Sequence, residues 1–339
     1  MVKVWPGLWI RAFGIADSGT DLAKKDSQKL MRPITSLEQF ADSSIGSAVT
    51  IGKFDGIHLG HQKLIGELST AAKNLGIQSV VVTFDRHPDA LLKPEQAKLP
   101  LIGPSQKREL IAAQGVDVLV TLPFDEELAK LGPEEFVELI LIQGLKAKIV
   151  FVGEDFRFGN KGSGDVSILE ELGLQHGFDV RVVSSALLGD VKISSSAIRE
   201  ALDRGDVATA NKMLGHVHTC VGMIEHGLKI GRSIGFPTAN MARDCEGYLP
   251  LDGVYAGWLV VDQHRFPAAH SVGINETFQA VPRLVESHIL DRDDVDLYDK
   301  VVTLEFVDFI RPAAKFNGVE DLVQEINRDL DKIRVILGV

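Results

Sequence analysis

Two histidines three residues apart, His58 and His61, stand where an apolar run gives way to a helical pattern, in Gly52-Lys53-Phe54-Asp55-Gly56-Ile57-His58-Leu59-Gly60-His61. Residues three apart share a helix face. In a first helical turn they lie beside backbone N–H groups that lack intrahelical partners, at the positive end of the helix dipole, and such a place binds phosphate. Imidazoles there, neutral or protonated, donate hydrogen bonds to a triphosphate and stabilise the charge that develops as pyrophosphate leaves. Gly52, Gly56 and Gly60 remove side chains where a nucleotide backbone would approach. Two other readings stay open on this motif alone. The histidines can be surface residues that cap a helix, or a zinc pair, although helical zinc pairs usually stand four apart and no third ligand is evident.

Further chemistry-bearing residues lie downstream. Ser194, Ser195 and Ser196 open a helical pattern that carries Arg199. Serines there can be plain caps. Beside the histidine motif, three hydroxyls and a guanidinium suited to bidentate contact read as a second phosphate clamp. Between the two, a glycine-rich loop runs from Gly153 to Asp165 with Asp155, Phe156, Arg157 and Lys161, and Phe84-Asp85-Arg86-His87-Pro88 ends a strand at the same sheet edge. Such a loop is often only a turn, and His87 by itself is more often a surface residue. Neither GxxxxGK[ST] nor a helix-opening GxGxxG is present, which disfavours a P-loop enzyme and an ordinary dehydrogenase. Near the middle of the second half, Gly231-Arg232-Ser233-Ile234-Gly235-Phe236-Pro237-Thr238-Ala239-Asn240 is dense in turn residues. A bent loop accounts for it locally. The functional alternative makes Thr238 and Asn240 oxygen donors around a hard cation such as Mg²⁺. Glu286 interrupts an apolar strand, where it either faces solvent or serves as a general base.

The elements that must hold these residues follow from periodicity. Strands are expected at 48–54, 78–84, 116–122, 147–153 and 178–183, alternating with helices at 60–75, 105–114, 133–143, 165–175 and 195–203. Near-continuous apolar strands separated by helices predict a Rossmann-like parallel sheet covered on both faces. Ligands bind beyond the carboxyl ends of such strands, which is where His58 and His61 fall. A short helix at 206–214 leads to strands at 218–225, 253–261, 266–274, 284–290 and 300–310 and a closing helix from 319 to about 337. That texture predicts a small antiparallel β-barrel with a C-terminal helix. The expected division is 1–215 and 216–339, with the first ~40 residues a polar, mixed lead-in.

Composition narrows the class. The chain has 339 residues, more than one core usually serves. Its net charge of −11 argues against a nucleic-acid binder and an anionic membrane surface. A local pocket can still take nucleotides, because helix ends and a bound metal set the sign there. Cys220 and Cys245 are the only cysteines and lack metal-type spacing, which suits a reducing cytoplasm. No apolar run reaches membrane-spanning length. The segment 4–10 resembles a signal peptide faintly, but Pro6 and Arg11 interrupt it and no clean cleavage site follows.

Taken together, Gly52-x-Phe54-Asp55-Gly56-x-His58-x-Gly60-His61, Phe84 to Pro88, Gly153 to Gly159 and Ile193 to Arg199 resemble the adenylyltransferase motifs of the bacterial bifunctional riboflavin kinase/FAD synthetase family. Gly231 to Asn240 resembles its kinase signature, and Gly253-Val254-Tyr255-Ala256 with Val285-Glu286-Ser287-His288 resembles the kinase strands that follow. The likeness covers nearly the whole chain from Val49 and includes two independent motif sets in the family's order. It implies that the barrel phosphorylates riboflavin from ATP to give FMN, and that the parallel-sheet domain adenylylates FMN to FAD and releases pyrophosphate. Glu286 would be the kinase base, with Mg²⁺ held by Thr238 and Asn240, and Gly231, Arg232, Gly235 and Pro237 completing the ATP site. Asn275, Thr277, Arg311 and Phe316 would be flavin contacts. In the adenylyltransferase, His58, His61 and Arg199 would be catalytic, and Gly52, Phe54, Asp55, Gly56, Gly60 and Ser194 to Ser196 would bind ATP. Phe84, His87, Pro88, Asp155, Phe156 and Arg157 would meet FMN. A cytoplasmic monomer or weak homo-oligomer, without nucleic-acid or membrane partners, is expected. Three positions depart from the family pattern: Arg86 and Glu276 stand where proline is usual, and Ser196 where threonine is usual. Two rivals are an adenylyl- or cytidylyltransferase for another phosphorylated metabolite and a flavin-binding module without turnover.

Overall fold

The structure, a computed structural model, describes residues 30–40, 45–226, 230–273 and 283–339. In the first half, strands β1 (Arg32–Ile34), β2 (Ser47–Ile51), β3 (Gln78–Phe84), β4 (Val118–Leu122), β5 (Ala147–Gly153) and β6 (Asp179–Val183) form one parallel sheet in the order β1-β4-β3-β2-β5-β6. Every residue of β2 is buried, Ser47 and Thr50 included, and the rest of the strand is apolar. The chain moves to one side of β2 for β3 and β4 and to the other for β5 and β6. The crevice at that switch lies beyond the end of β2.

Helices α1 (Leu59–Leu75), α2 (Pro88–Leu92), α3 (Pro104–Ala112), α4 (Glu126–Lys130), α5 (Pro133–Phe136), α6 (Val166–His176), α7 (Ser195–Asp203) and α8 (Val207–Leu214) accompany the sheet. Leu64, Ile65, Leu68 and Ala72 bury one face of α1, and Gly76 ends it in the left-handed region at φ 65°. The helix expected over 133–143 is one α turn that continues as a π-helix over Val137–Gly144, with the Leu145 N–H reaching Ile140 O. A two-strand ribbon, β7 (Leu187–Leu188) with β8 (Val191–Lys192), precedes α7.

In the second half, β9 (His218–Glu225), β10 (Ala239–Met241), β11 (Gly253–Val261), β12 (His264–Gly273), β13 (Leu284–Ile289) and β14 (Val301–Pro312) close an antiparallel barrel in the order β10-β13-β12-β11-β14-β9. The short helix α9 (Ile230–Ser233) precedes β10, and α10 (Val319–Leu337) packs Leu330 and Ile333 against Ala256 and Leu290. The two halves share one hydrophobic cluster that runs from Ala48 and Phe54 through Leu202 and Leu214 to Tyr255 and Phe306. Asn211 on α8 ties them further, donating to Phe306 O at 2.8 Å and accepting the His218 N–H at 2.7 Å.

Three expectations are corrected. The lead-in to residue 40 contains β1, which is the sheet's edge strand beside β4; at three residues it is too short for a periodicity signal. The strand expected to reach Phe54 stops at Ile51, because Phe54 and Ile57 take left-handed backbone angles, φ 47° and 42°, that no strand holds. The loop over 231–240 ends in a strand, β10, whose pairing with β9 and β13 closes the barrel.

Candidate active sites

The first site is the turn between β2 and α1. His58 is the N-cap of α1, and its Nδ1 accepts the His61 N–H at 3.4 Å. That bond places the His58 proton on Nε2. The two rings stack at 3.7 Å with 17° between their planes, and the Phe54 ring meets His61 edge-on at 5.1 Å. Near-parallel stacked rings direct their in-plane nitrogens side by side, so one zinc ion does not fit between them. Burial lowers His58 to about 4. His61 falls well below its ordinary value, first through burial and then through the charges of His58 and Lys107. Burial therefore favours the neutral form of both imidazoles. Among the described residues the buried Nδ1 of His61 has no hydrogen-bond partner.

Left-handed angles at Phe54, Gly56 and the β-branched Ile57 mark a strained turn that surrounding contacts must hold. Asp55, 5% exposed, supplies one such contact. Its Oδ1 accepts the Leu101 N–H at 2.7 Å and its Oδ2 pairs with the guanidinium of Arg199. Arg199, 7% exposed, also donates to Leu99 O at 2.9 Å and Ser195 O at 3.2 Å. Ser195 Oγ donates to Asp55 O at 2.8 Å, and Ser194 caps α7 by accepting the Ala197 N–H. The clamp expected on phosphate is thus turned partly inward. Arg199 and Ser195 grip the turn, while Ser196 faces Lys98 at 3.5 Å.

The glycines also serve the turn itself. A Cβ at Gly60 would meet the His58 ring at 3.2 Å. One at Gly56, besides the left-handed φ of 87°, would press on Leu101 at 2.9 Å. They make room for this chain's own groups.

Lys107 on α3, which sequence reasoning passed over, donates to Lys53 O at 2.9 Å. Burial lowers its pKa, opposed by Asp55. No motif points to it, because only the fold brings α3 under the turn. His87 caps α2 by accepting the Asp89 N–H at 3.2 Å, just before Pro88, and its pKa is lowered by burial and then by Lys53. Phe84 meets Phe124 edge-on at 5.3 Å. In the glycine-rich loop Phe156 stacks on Phe158 at 5.5 Å, and Phe158 is core. Arg157 pairs with Asp165 at 3.5 Å, while Asp155 pairs with Lys192.

The second site is a cavity of about 800 Å³ in the barrel, lined by Thr238, Asn240, Glu286, His288, Arg311 and Phe316 among others. Register assembles it. Asn240 on β10 lies directly opposite Glu286 on β13, and Ser271 on β12 flanks Glu286 from the other side. Burial raises the Glu286 pKa, and a hydrogen bond with Thr238 lowers it in part. Gly231 lets the loop fold back: its O accepts the Phe236 N–H at 2.8 Å, and a Cβ would sit 2.3 Å from Phe236 O. Gly235 is left-handed at φ 90°. His288 Nδ1 donates to Pro237 O at 2.8 Å, which fixes the loop just before Thr238. Arg311 is held by Asp329 at 2.8 Å and lies over the Phe316 ring at 5.5 Å. A second cavity of about 90 Å³, lined by Arg232, Arg292 and Tyr298, also reaches Pro237 and Thr238. Asn275, Glu276 and Thr277 lie outside the described residues. Among the described residues no three His, Cys, Asp or Glu are arranged to hold a metal ion, and no helix is long and apolar enough to cross a membrane.

Comparison with known proteins gives concordant results. Residues 41–197 match the FAD synthetase family and residues 214–337 match the riboflavin kinase family. The bifunctional riboflavin kinase/FMN adenylyltransferase of Listeria monocytogenes is 35% identical over 91% of this chain and 97% of its own length. That of Escherichia coli is 32% identical over 91% of this chain and 98% of its own. A crystal structure described as a macrolide-efflux protein from Streptococcus pneumoniae covers 90% of this chain and 99% of that one, at 32% identity and a TM-score of 0.81. That description concerns the other protein; the shared property is the fold. With both family matches in series and relatives aligned over almost their full lengths, the chain belongs to the bifunctional riboflavin kinase/FMN adenylyltransferase family.

Proposed function

We propose that the two activities of the family divide between the two sites just described. Residues 1–215 carry FMN adenylylation and residues 216–339 carry riboflavin phosphorylation. The chain thus converts riboflavin and ATP to FMN, and FMN and ATP to FAD and pyrophosphate.

In the kinase step Glu286 accepts the proton of the ribityl 5′-hydroxyl as that oxygen attacks the γ-phosphate. Burial raises its pKa, which strengthens it as a base. The observation that carries this reading is the register of β10 on β13. It sets Glu286 opposite Asn240, beside Thr238, on the wall of a cavity of about 800 Å³, large enough for a flavin. Thr238 and Asn240 are hard oxygen donors and suit Mg²⁺, which takes few protein ligands and keeps waters and substrate phosphates. When bound, Mg²⁺ neutralises charge on the transferring phosphoryl group. Arg232 and Arg292 beside the smaller cavity favour ATP phosphates there, and Phe316 with Arg311 offers a flat surface to the isoalloxazine ring.

In the adenylyl step the FMN phosphate is itself the nucleophile, so the site needs positioning and charge stabilisation rather than a strong base. His58 donates from Nε2 and His61 joins it. The α7 start, with Ser194 and Ser196, adds further donors. Arg199 acts through Asp55, holding the turn. Phe84, His87, Pro88, Phe156 and Arg157 rim the same sheet edge and are the FMN candidates. The reducing-type cysteine usage supports a cytoplasmic location.

One incubation tests the whole scheme. Riboflavin, ATP and Mg²⁺ should yield FMN and then FAD, followed by chromatography. A protein that binds flavin and consumes no ATP would refute it.

A further inference from the structure

The barrel reaches into the adenylyltransferase half through Glu246, which follows β10 in the chain and forms a bridge with Val221 on β9. Its carboxylate sits over the first turn of α3. Oε2 accepts the Ser105 N–H at 3.1 Å, the Ser105 hydroxyl, and the Gln106 N–H at 3.4 Å. These are donors that a helix start leaves unpaired, and a carboxylate also suits the positive end of the dipole. Gly103 exists as glycine to admit this group: a Cβ there would lie 2.3 Å from the carboxylate carbon. Gln106, 5% exposed, adds a second tie, donating to Thr219 O at 3.0 Å and Thr219 Oγ1 at 2.8 Å. The residue after Gln106 is Lys107.

Charge bookkeeping makes Lys107 consequential. Burial favours the neutral form of the two imidazoles, and the Arg199 charge is offset by Asp55 at close contact. Lys107 Nζ holds Lys53 O at 2.9 Å, next to Phe54, whose ring touches His61. It is the cation fixed under the turn on which the triphosphate would lie.

We propose that Glu246, supplied by the kinase barrel, is a positioning residue for FMN adenylylation: it clamps the start of α3 and so sets Lys107 beneath the His58–His61 turn. The inference rests on the reading of that turn as the adenylyltransferase site. Coupling runs through contiguous hydrogen-bonded groups and a rigid helix.

The test uses the full-length protein and five variants, with FAD formation from supplied FMN and FMN formation from riboflavin measured separately. Lys107→Met should lower FAD formation about 100-fold, within the range for loss of one preorganised charge partner. Glu246→Ala should lower it about 10-fold, mainly by raising the KM for ATP, and leave FMN formation unchanged. Glu246→Gln, which keeps an oxygen acceptor over Ser105, should restore most of the loss. In the Lys107→Met background, Glu246→Ala should cost nothing more, because the residue acts through that lysine. Full additivity of the two losses, or an equal fall in both activities, overturns the proposal. So does wild-type FAD formation in Glu246→Ala. His61→Ala serves as the control for the underlying reading: if it retains FAD formation, the turn is not the site and the fault lies there rather than with Glu246.

Discussion

On the proposed division of labour, the histidine turn and the barrel cavity solve the same problem, holding polar groups in place for phosphate chemistry, by different means. The turn between β2 and α1 takes left-handed angles at Gly56 and, with strain, at Phe54 and Ile57, and its shape depends on contacts from α7, from Leu101 and from His216 just ahead of the barrel. The cavity places Asn240, Ser271 and Glu286 by strand register alone. A ladder fixes its side chains to within the pleat repeat. A strained turn is only as well positioned as its remote supports. The first site should therefore be sensitive to distant substitutions and the second mainly to substitutions within it.

The sharpest way to separate the two sites is Glu286→Gln. FMN formation should fall by ~10³-fold, in the range for a general base, while FAD formation from supplied FMN persists. Loss of both in a folded variant would dismantle the division of labour. His61→Ala should do the reverse at slightly smaller size, halting the chain at FMN with a drop of ~10²-fold; undiminished FAD synthesis would count decisively against it. Asp55→Asn probes the support rather than the site. Removing one partner of a buried ion pair costs about 3–5 kcal/mol, so denaturant unfolding should show the first half weakened, with FAD formation lost before FMN formation. An unchanged unfolding midpoint would contradict the role given to the Asp55–Arg199 pair.

The smallest effect concerns pH. His58, lowered to about 4, stays neutral in the fold where its unfolded counterpart, near 6.5, takes up a proton. The unfolded chain then binds more protons, so stability falls as pH drops from about 6.5 towards 4. His218 and His270, both buried and both lowered to about 4, act in the same direction. FAD formation should be flat across pH 6 to 8, as measured by initial rates; a rise on acidification through 6.5 would mean that protonated imidazoles do the work.

Much of this was legible in the sequence, and the residues show why. The parallel order and the barrel follow from buried strands such as β2 and β5, where apolar runs have one physical explanation. His58, His61, Thr238, Asn240 and Glu286 could be singled out as candidates because each stands in a local motif. Arg199 was singled out as well, but its aim could not be. A motif tells which groups meet a helix start and leaves open whether they face out or in, and here Asp55, far away along the chain, turns the guanidinium inward. Lys107 and Glu246 carry no local signature at all, since their meaning comes from the docking of one half on the other. Strands β1 and β10, three residues each, are too short for a period-two pattern to register.

Leu101 illustrates what kind of joint this is. Its N–H goes to Asp55 in the first half, and its carbonyl receives the Tyr248 N–H from the second. On the Leu101 side both contacts use the main chain, which every amino acid except proline presents alike. Natural variation at that position can change the packing of the side chain and still leave the connection intact. The link between the two catalytic halves is to that extent shielded from mutational drift, and a lineage could trade side chains around it while inheriting the same alignment.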